Sequence, residues 1–270
     1  MNFGGTMPGW KGHWGPVELK KKHQSIGDRA FNQGFRMRAY ADSDYDFPNF
    51  KKALELGKVE SIPNPLPPNW ITGMGVDLSS DKRPGNVIWC GALSPEGIKR
   101  PLEIRAIKAS SPEVARNIGQ VAATWRPQFI VVENNAYQGA LIEWINEYPE
   151  RFPYWCEIIP FQTGNNKANP EFGIKGIDIE FMNGGWVVPR ELNPLVNGHD
   201  LACPCGPCRW KREVETFPHC AQIDTAMAMW FFREGCRFFR YGQEADNGQE
   251  QMDPAVVGEF WIPADDLVED

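Results

Sequence analysis

Phe129, Ile130, Val131 and Val132 form a run that is apolar at every position. A strand apolar on both faces must be covered on both, the situation of a central parallel strand reached through helical crossovers. This run therefore requires a sheet with helices on each side, and the neighbouring segments supply the parts. ITGMGVDLSS (71–80), NVIWCGALS (86–94) and LEIRAIKA (102–109) are strand candidates separated by the turn-rich DKRPGN and PEGIKRP, which predicts a meander of two hairpins. Ser111 as cap, Pro112 at the first position, and Val114, Ile118, Val121, Ala122 and Trp125 on one face predict a helix that Pro127 ends. A second helix over 136–147 carries Leu141, Ile142, Trp144 and Ile145. Then come a short strand at CEIIPF (156–161), an amphipathic stretch at 170–182 and a strand at WVVP (186–189). Ile223, Met227, Trp230 and Phe231 mark a last helix over 220–236. The order predicts an α/β fold in which helices flank a mixed sheet.

Composition and charge narrow the class. With 42% apolar and 23% charged residues, the 270-residue chain has the make-up of a globular protein. It holds no run near the ~18 apolar residues of a membrane span, and MNFGGTMPGWKGHW lacks the pattern of a secretory signal. A cytoplasmic protein is expected. Residues 241–270 contain nine Asp or Glu and no Lys or Arg, so the other 240 residues sum to +2 against a net charge of −7. Residues 1–40 carry a local +5 that includes Lys20, Lys21 and Lys22. A basic arm, a near-neutral body and an acidic tail suit a protein that meets nucleic acid on part of its surface, although two solvated termini would look the same. The proline-rich SIPNPLPPNW (61–70) reads as a linker. The expected organisation is an N-terminal arm and linker over 1–69, a domain over 70–240 and an acidic tail over 241–270.

Three carboxylates fall at element ends. Asp77 closes the first strand after Gly73 and Gly75, which leave room for a close approach to the backbone. Glu133 closes the most apolar strand and is followed by Asn134 and Asn135. Crevices beyond the carboxyl ends of parallel strands are where open α/β sheets place ligands. Asp224 lies in the first turn of the last helix, where the helix dipole alone favours an acid. Gathered at one point the three would repel, and hard divalent cations such as Mg²⁺ or Mn²⁺ relieve that repulsion. Two such ions ~3.5–4 Å apart can stabilise the attacking and leaving oxygens of a phosphodiester displacement.

These segments resemble the nuclease domain of the large terminase subunit of tailed bacteriophages, a ribonuclease H-like fold. The resemblance rests on GVDLSS (75–80), FIVVENNAYQGALIEWI (129–145), GNNKANPEFGIKGIDIEFMNGGWVVP (164–189) and FPHCAQIDTAMAMWFF (217–232). It implies Asp77, Glu133 and Asp224 as catalytic, metal-binding acids and Lys167 near the DNA path. Many relatives carry two adjacent acids where this chain has Asp224 alone, and Asp81 and Asp178 are alternative third ligands. Tyr137 and Asn134, just past Glu133, are expected DNA contacts. The implied activity is a two-metal endonuclease cutting double-stranded phage DNA during genome packaging, in the host cytoplasm at the procapsid. The sequence has no G-x-x-x-x-G-K-[ST] phosphate loop, and GTMPGWKG (5–12) lacks the Ser or Thr after its lysine. HQSIGDRAFNQGFRMRAYADSDYDFPNF (23–50) looks like the connector to an ATPase half, so a separate packaging ATPase subunit is the expected partner, with the small terminase subunit and the portal. Such a chain is a separately encoded subunit or a fragment. Alternatives are another ribonuclease H-like nuclease such as a junction resolvase, or a non-catalytic, zinc-stabilised DNA-binding or portal-docking subunit.

Seven cysteines are an odd number, and three crowd into CPCGPC (203–208). His199, Cys203, Cys205 and Cys208 supply soft ligands at the spacing of a tetrahedral zinc site, with free thiols as the alternative. His219 or Cys220 could replace His199. Cys90, Cys156 and Cys236 lie in apolar contexts and read as core, as do Trp125, Trp144 and Trp230.

Overall fold

The computed structural model describes residues 15–35, 46–78, 85–133, 156–161, 173–199 and 202–246. The helix expected over 136–147 lies outside them, as do Asp81, Asn134, Tyr137, Lys167 and residues 247–270. Five strands form one sheet: β1 (Ile71–Asp77), β2 (Asn86–Leu93), β3 (Lys99–Ile107), β4 (Phe129–Glu133) and β5 (Glu157–Phe161). Their order is β3-β2-β1-β4-β5. β1 to β3 are antiparallel neighbours, and β4 runs parallel to both β1 and β5. An antiparallel meander continued by two parallel strands, the first reached through a helix over Ser111–Trp125, is the ribonuclease H-like arrangement, so the fold class is as expected.

Six helices are described: α1 (Pro16–Gly34), α2 (Phe50–Gly57), α3 (Ser111–Trp125), α4 (Ile177–Met182), α5 (Gly206–Thr216) and α6 (Asp224–Asp246). Ser110, not Ser111, stands before α3, its carbonyl accepting the amides of Glu113 and Val114 at 2.9 Å each. α6 continues ten residues past the expected end at 236. α1 is interrupted at Gly27, where φ is 76°.

The two faces of the sheet are packed differently. Ile130 and Val132 of β4 join Met74, Val76 and Ile88 beneath Val114, Ile118, Val121 and Ala122 of α3, an aliphatic layer. Phe129 and Val131 point the other way, into a layer with Trp89, Trp186, Trp210, Trp230 and Phe232. Alternate residues of the same strand thus feed two cores, which is why the whole run had to be apolar. Phe47, Phe50, Ala53 and Leu54, in the segment expected to be arm and linker, belong to the aromatic layer. The segment WVVP is not a strand. Trp186 makes one parallel bridge to Lys99, and Val188 N then turns to Ala53 O of α2 at 3.1 Å, so the ladder goes no further.

Buried charge is compensated. Glu180 accepts Lys99 Nζ at 2.9 Å, Trp186 Nε1 at 2.7 Å and Arg233 Nε at 2.6 Å. Burial pushes its carboxyl upward, but Lys99 and Arg233 outweigh that and hold it at about 2. No described helix is long and apolar enough to cross a membrane.

Candidate metal and carboxylate centres

Glycines in β1 place α6. On the aromatic side of the sheet, a Cβ on Gly75 would lie 2.0 Å from Ala228 O and 2.5 Å from Phe232 N. The close approach expected at Gly75 is therefore that of a helix backbone. Further along, a Cβ on Gly235 would meet the Phe129 ring, and Phe129 pairs with Gly73. The helix therefore runs antiparallel to β1, with its start toward the Asp77 end. Asp224, one turn before Ala228, sits there, and a Cβ on Gly85 would lie 2.7 Å from its Oδ2. Gly85 leads into β2, where Val87 pairs with Asp77. Val76 pairs with Val132, so Asp77 and Glu133 come next in register and close two neighbouring parallel strands at one edge.

The Asp224 carboxylate is already engaged. Its Oδ2 accepts Arg209 Nη2 at 2.5 Å, and Arg209 Nε donates to Glu213 Oε1 at 2.7 Å. Glu213 Oε2 in turn accepts Thr225 N at 2.7 Å, Thr225 Oγ1 at 2.5 Å and Ala226 N at 3.4 Å. Glu213 thus caps the positive end of α6 from a buried position. Sequence reasoning missed both Arg209 and Glu213. Their spacing of four within α5 was visible, but the contact with Asp224 depends on how α5 and α6 meet. Asp178 accepts Asn49 N at 2.9 Å and Asn49 Nδ2 at 2.8 Å, tying α4 to the start of α2.

The sulfur ligands do converge. His199 Nδ1 lies 3.5 Å from Cys203 Sγ, 3.3 Å from Cys205 Sγ and 3.2 Å from Cys208 Sγ. All four ligand atoms fall within 4.8 Å of one another. A tetrahedral zinc with ~2.3 Å bonds to sulfur and ~2.0–2.1 Å to nitrogen would set these N···S edges near ~3.6 Å, so the donor set fits such an ion in type and size. Among the described residues this is the single group of three or more His, Cys, Asp or Glu side chains drawn together in this way, and it uses His199 rather than His219 or Cys220. Asp77, Glu133 and Asp224 edge one end of the sheet without forming such a group. Burial, then the neighbouring Cys205 and Cys203, push the Cys208 thiol up to about 12. Cys90 and Cys236 are buried core thiols, and burial pushes both upward. Trp230 is core, whereas Trp125 is half-buried and donates to Glu103 Oε2 at 2.7 Å.

No protein-family model matches the sequence, and a comparison with curated proteins finds no match. Solved structures do match. The large terminase nuclease from thermophilic phage G20c is 11% identical, covering 71% of this chain and 98% of that one with a TM-score of 0.45. The same nuclease with bound zinc is 12% identical over 70% and 97% of the two chains, at 0.47. Thermus thermophilus RuvC is 13% identical over 64% and 97%, at 0.33. Further structures of the phage nuclease hold cobalt or magnesium. The class assignment, a ribonuclease H-like α/β protein, rests on this chain's own strand order and pairing.

Proposed function

We propose that this chain is a metal-dependent endonuclease of the terminase type, cutting double-stranded phage DNA during genome packaging. One observation carries the reading: Asp77 and Glu133 end neighbouring parallel strands at one edge, and α6 lies on Gly75 with Asp224 at that same edge. Carboxylate oxygens suit Mg²⁺ or Mn²⁺, and two such ions supply activation of water and stabilisation of the departing 3′ oxygen. Asp77, Glu133 and Asp224 hold them. The rigid β1 and β4 backbones keep the first two carboxylates fixed, and α6 brings the third. Asn134, Tyr137 and Lys167 contact the DNA.

His199, Cys203, Cys205 and Cys208 hold a structural Zn²⁺, since four protein ligands leave no position for a reacting water. That site pins the start of α5. A separate ATPase subunit, working with the small terminase subunit and portal at the procapsid in the host cytoplasm, delivers the DNA. Purified protein should nick supercoiled plasmid only with Mg²⁺ or Mn²⁺ and hydrolyse no ATP. Asp77→Ala, Glu133→Ala and Asp224→Ala should each abolish nicking while the melting temperature holds. Intrinsic ATP hydrolysis, or undiminished nicking by the Glu133 variant, would overturn the reading.

A further inference from the structure

Arg209 has no part in the function proposed above, yet it touches one of its three acids. Its Nη2 donates to Asp224 Oδ2 and its Nε to Glu213 Oε1, at 2.5 and 2.7 Å. Two features fix where this guanidinium sits. Arg209 directly follows Cys208, and its amide donates to Cys205 O at 2.9 Å, so the sulfur cluster sets its backbone. Glu213 is buried and its second oxygen is spent on the start of α6, so the carboxylate that grips Nε cannot wander. The backbone before β2 lies against the pair: a Cβ on Gly85 would be 3.0 Å from both terminal nitrogens of Arg209.

We infer that Arg209 is a positioning residue that keeps Asp224 charge-paired until a divalent cation takes it, so that metal loading of the carboxylate crevice competes with the Arg209–Asp224 ion pair. The inference rests on the reading of Asp224 as a metal ligand. A guanidinium on Oδ2 repels a divalent cation that takes either oxygen of the same carboxylate, so the ion pair and the metal oppose each other. Glu213 makes the exchange cheap for the fold. Arg209 can surrender Nη2 and stay docked through Nε, and α6 keeps its cap. The consequence is a site that stays neutralised at low metal and fills only above a threshold concentration.

Mn²⁺ titration of the full chain by calorimetry, with the sulfur-site metal retained and no DNA present, tests this. Arg209→Gln should bind Mn²⁺ about tenfold more tightly, because a like charge in contact with a ligand oxygen is gone. Arg209→Lys, which keeps the charge but not the two-pronged grip, should fall between this variant and the parent. Asp77→Asn and Asp224→Asn should lose binding. If the two Asp variants lose Mn²⁺ and neither Arg209 variant binds more tightly than the parent, the competition is overturned and the metal site stands. A purely structural Arg209 gives that result, since loosening the start of α6 weakens binding. If the Asp variants bind Mn²⁺ unchanged, the metal-site reading itself fails and takes the inference with it.

Discussion

His199, Cys203, Cys205 and Cys208 come from ten consecutive residues, whereas Asp77, Glu133 and Asp224 come from two strands and a helix far apart in the chain. The four soft ligands already lie at metal-binding separations. The three acids only border the same sheet edge, and one of them is held by a guanidinium. The difference follows from chemistry. Thiols and an imidazole can be neutral and pack together, so a tight loop can draw them close before metal arrives. Carboxylates repel, and a fold can gather them only with a compensating cation. Glu180 illustrates the alternative solution, a half-buried carboxylate given Lys99 and Arg233 as permanent partners. Permanent compensation stabilises but leaves no vacancy for chemistry.

The contrast is sharpest where stability is concerned. Cys205→Ser, or chelation of the sulfur-site metal, should lower the melting temperature by roughly 10 °C, since the ion holds both the loop and the start of α5. Differential scanning calorimetry with metal analysis checks this. Unchanged melting, or protein purified without chelators that contains no zinc, would dissolve the distinction between a structural and a reactive centre.

Next in size is Glu180→Ala, which leaves buried Lys99 without its carboxylate and buried Arg233 with Glu234 alone, and should cost about 3 kcal/mol near neutral pH. Its carboxyl is lowered from 4.5 to about 2, so its contribution is full above the ordinary value and fades as pH falls toward 2. Urea melts across that window should show the variant and parent converging in acid. A gap that persists at the acid end would mean that packing rather than charge is lost.

Legibility in the sequence divides along the same line. The central strand could be read because β4 feeds two cores and so has no polar face. The sulfur site could be read because its spacing is local. What lay hidden depends on how distant elements meet. WVVP has a strand's composition, but its backbone is shared between Lys99 and Ala53. Gly75 looked like room for a ligand and is room for α6. Arg209 and Glu213 show nothing in the sequence beyond a spacing of four, and only the packing of α5 beside α6 makes them a clamp and a cap. Phe47 and Phe50 sit in the aromatic core, so a truncation meant to remove the basic arm alone must stop short of residue 46.

A smaller effect is expected at the cap. Glu213→Gln removes the charge at the start of α6 and should cost about 1–2 kcal/mol. It should also leave Arg209 to Asp224 alone and thereby weaken Mn²⁺ binding, opposite in sign to Arg209→Gln. Equal shifts in the two variants would argue against a clamp with two ends. Smallest of all, deleting residues 247–270 removes seven acids and no base, so it should tighten DNA binding by a few-fold at low salt and steepen its salt dependence. Fluorescence anisotropy with duplex DNA over a salt series measures this, and identical curves would mean that the tail does not repel DNA.

The most direct test sets Glu133→Gln beside Cys205→Ser in one experiment that records plasmid nicking against Mn²⁺ and the melting temperature of the same preparations. The account predicts a crossed result. Glu133→Gln melts with the parent and keeps its zinc but does not nick, and Cys205→Ser melts lower yet still nicks at temperatures where it is folded. Nicking by Glu133→Gln at the parent's rate, or its loss in folded Cys205→Ser alone, would contradict the assignment of chemistry to the carboxylate edge and of support to the sulfur cluster.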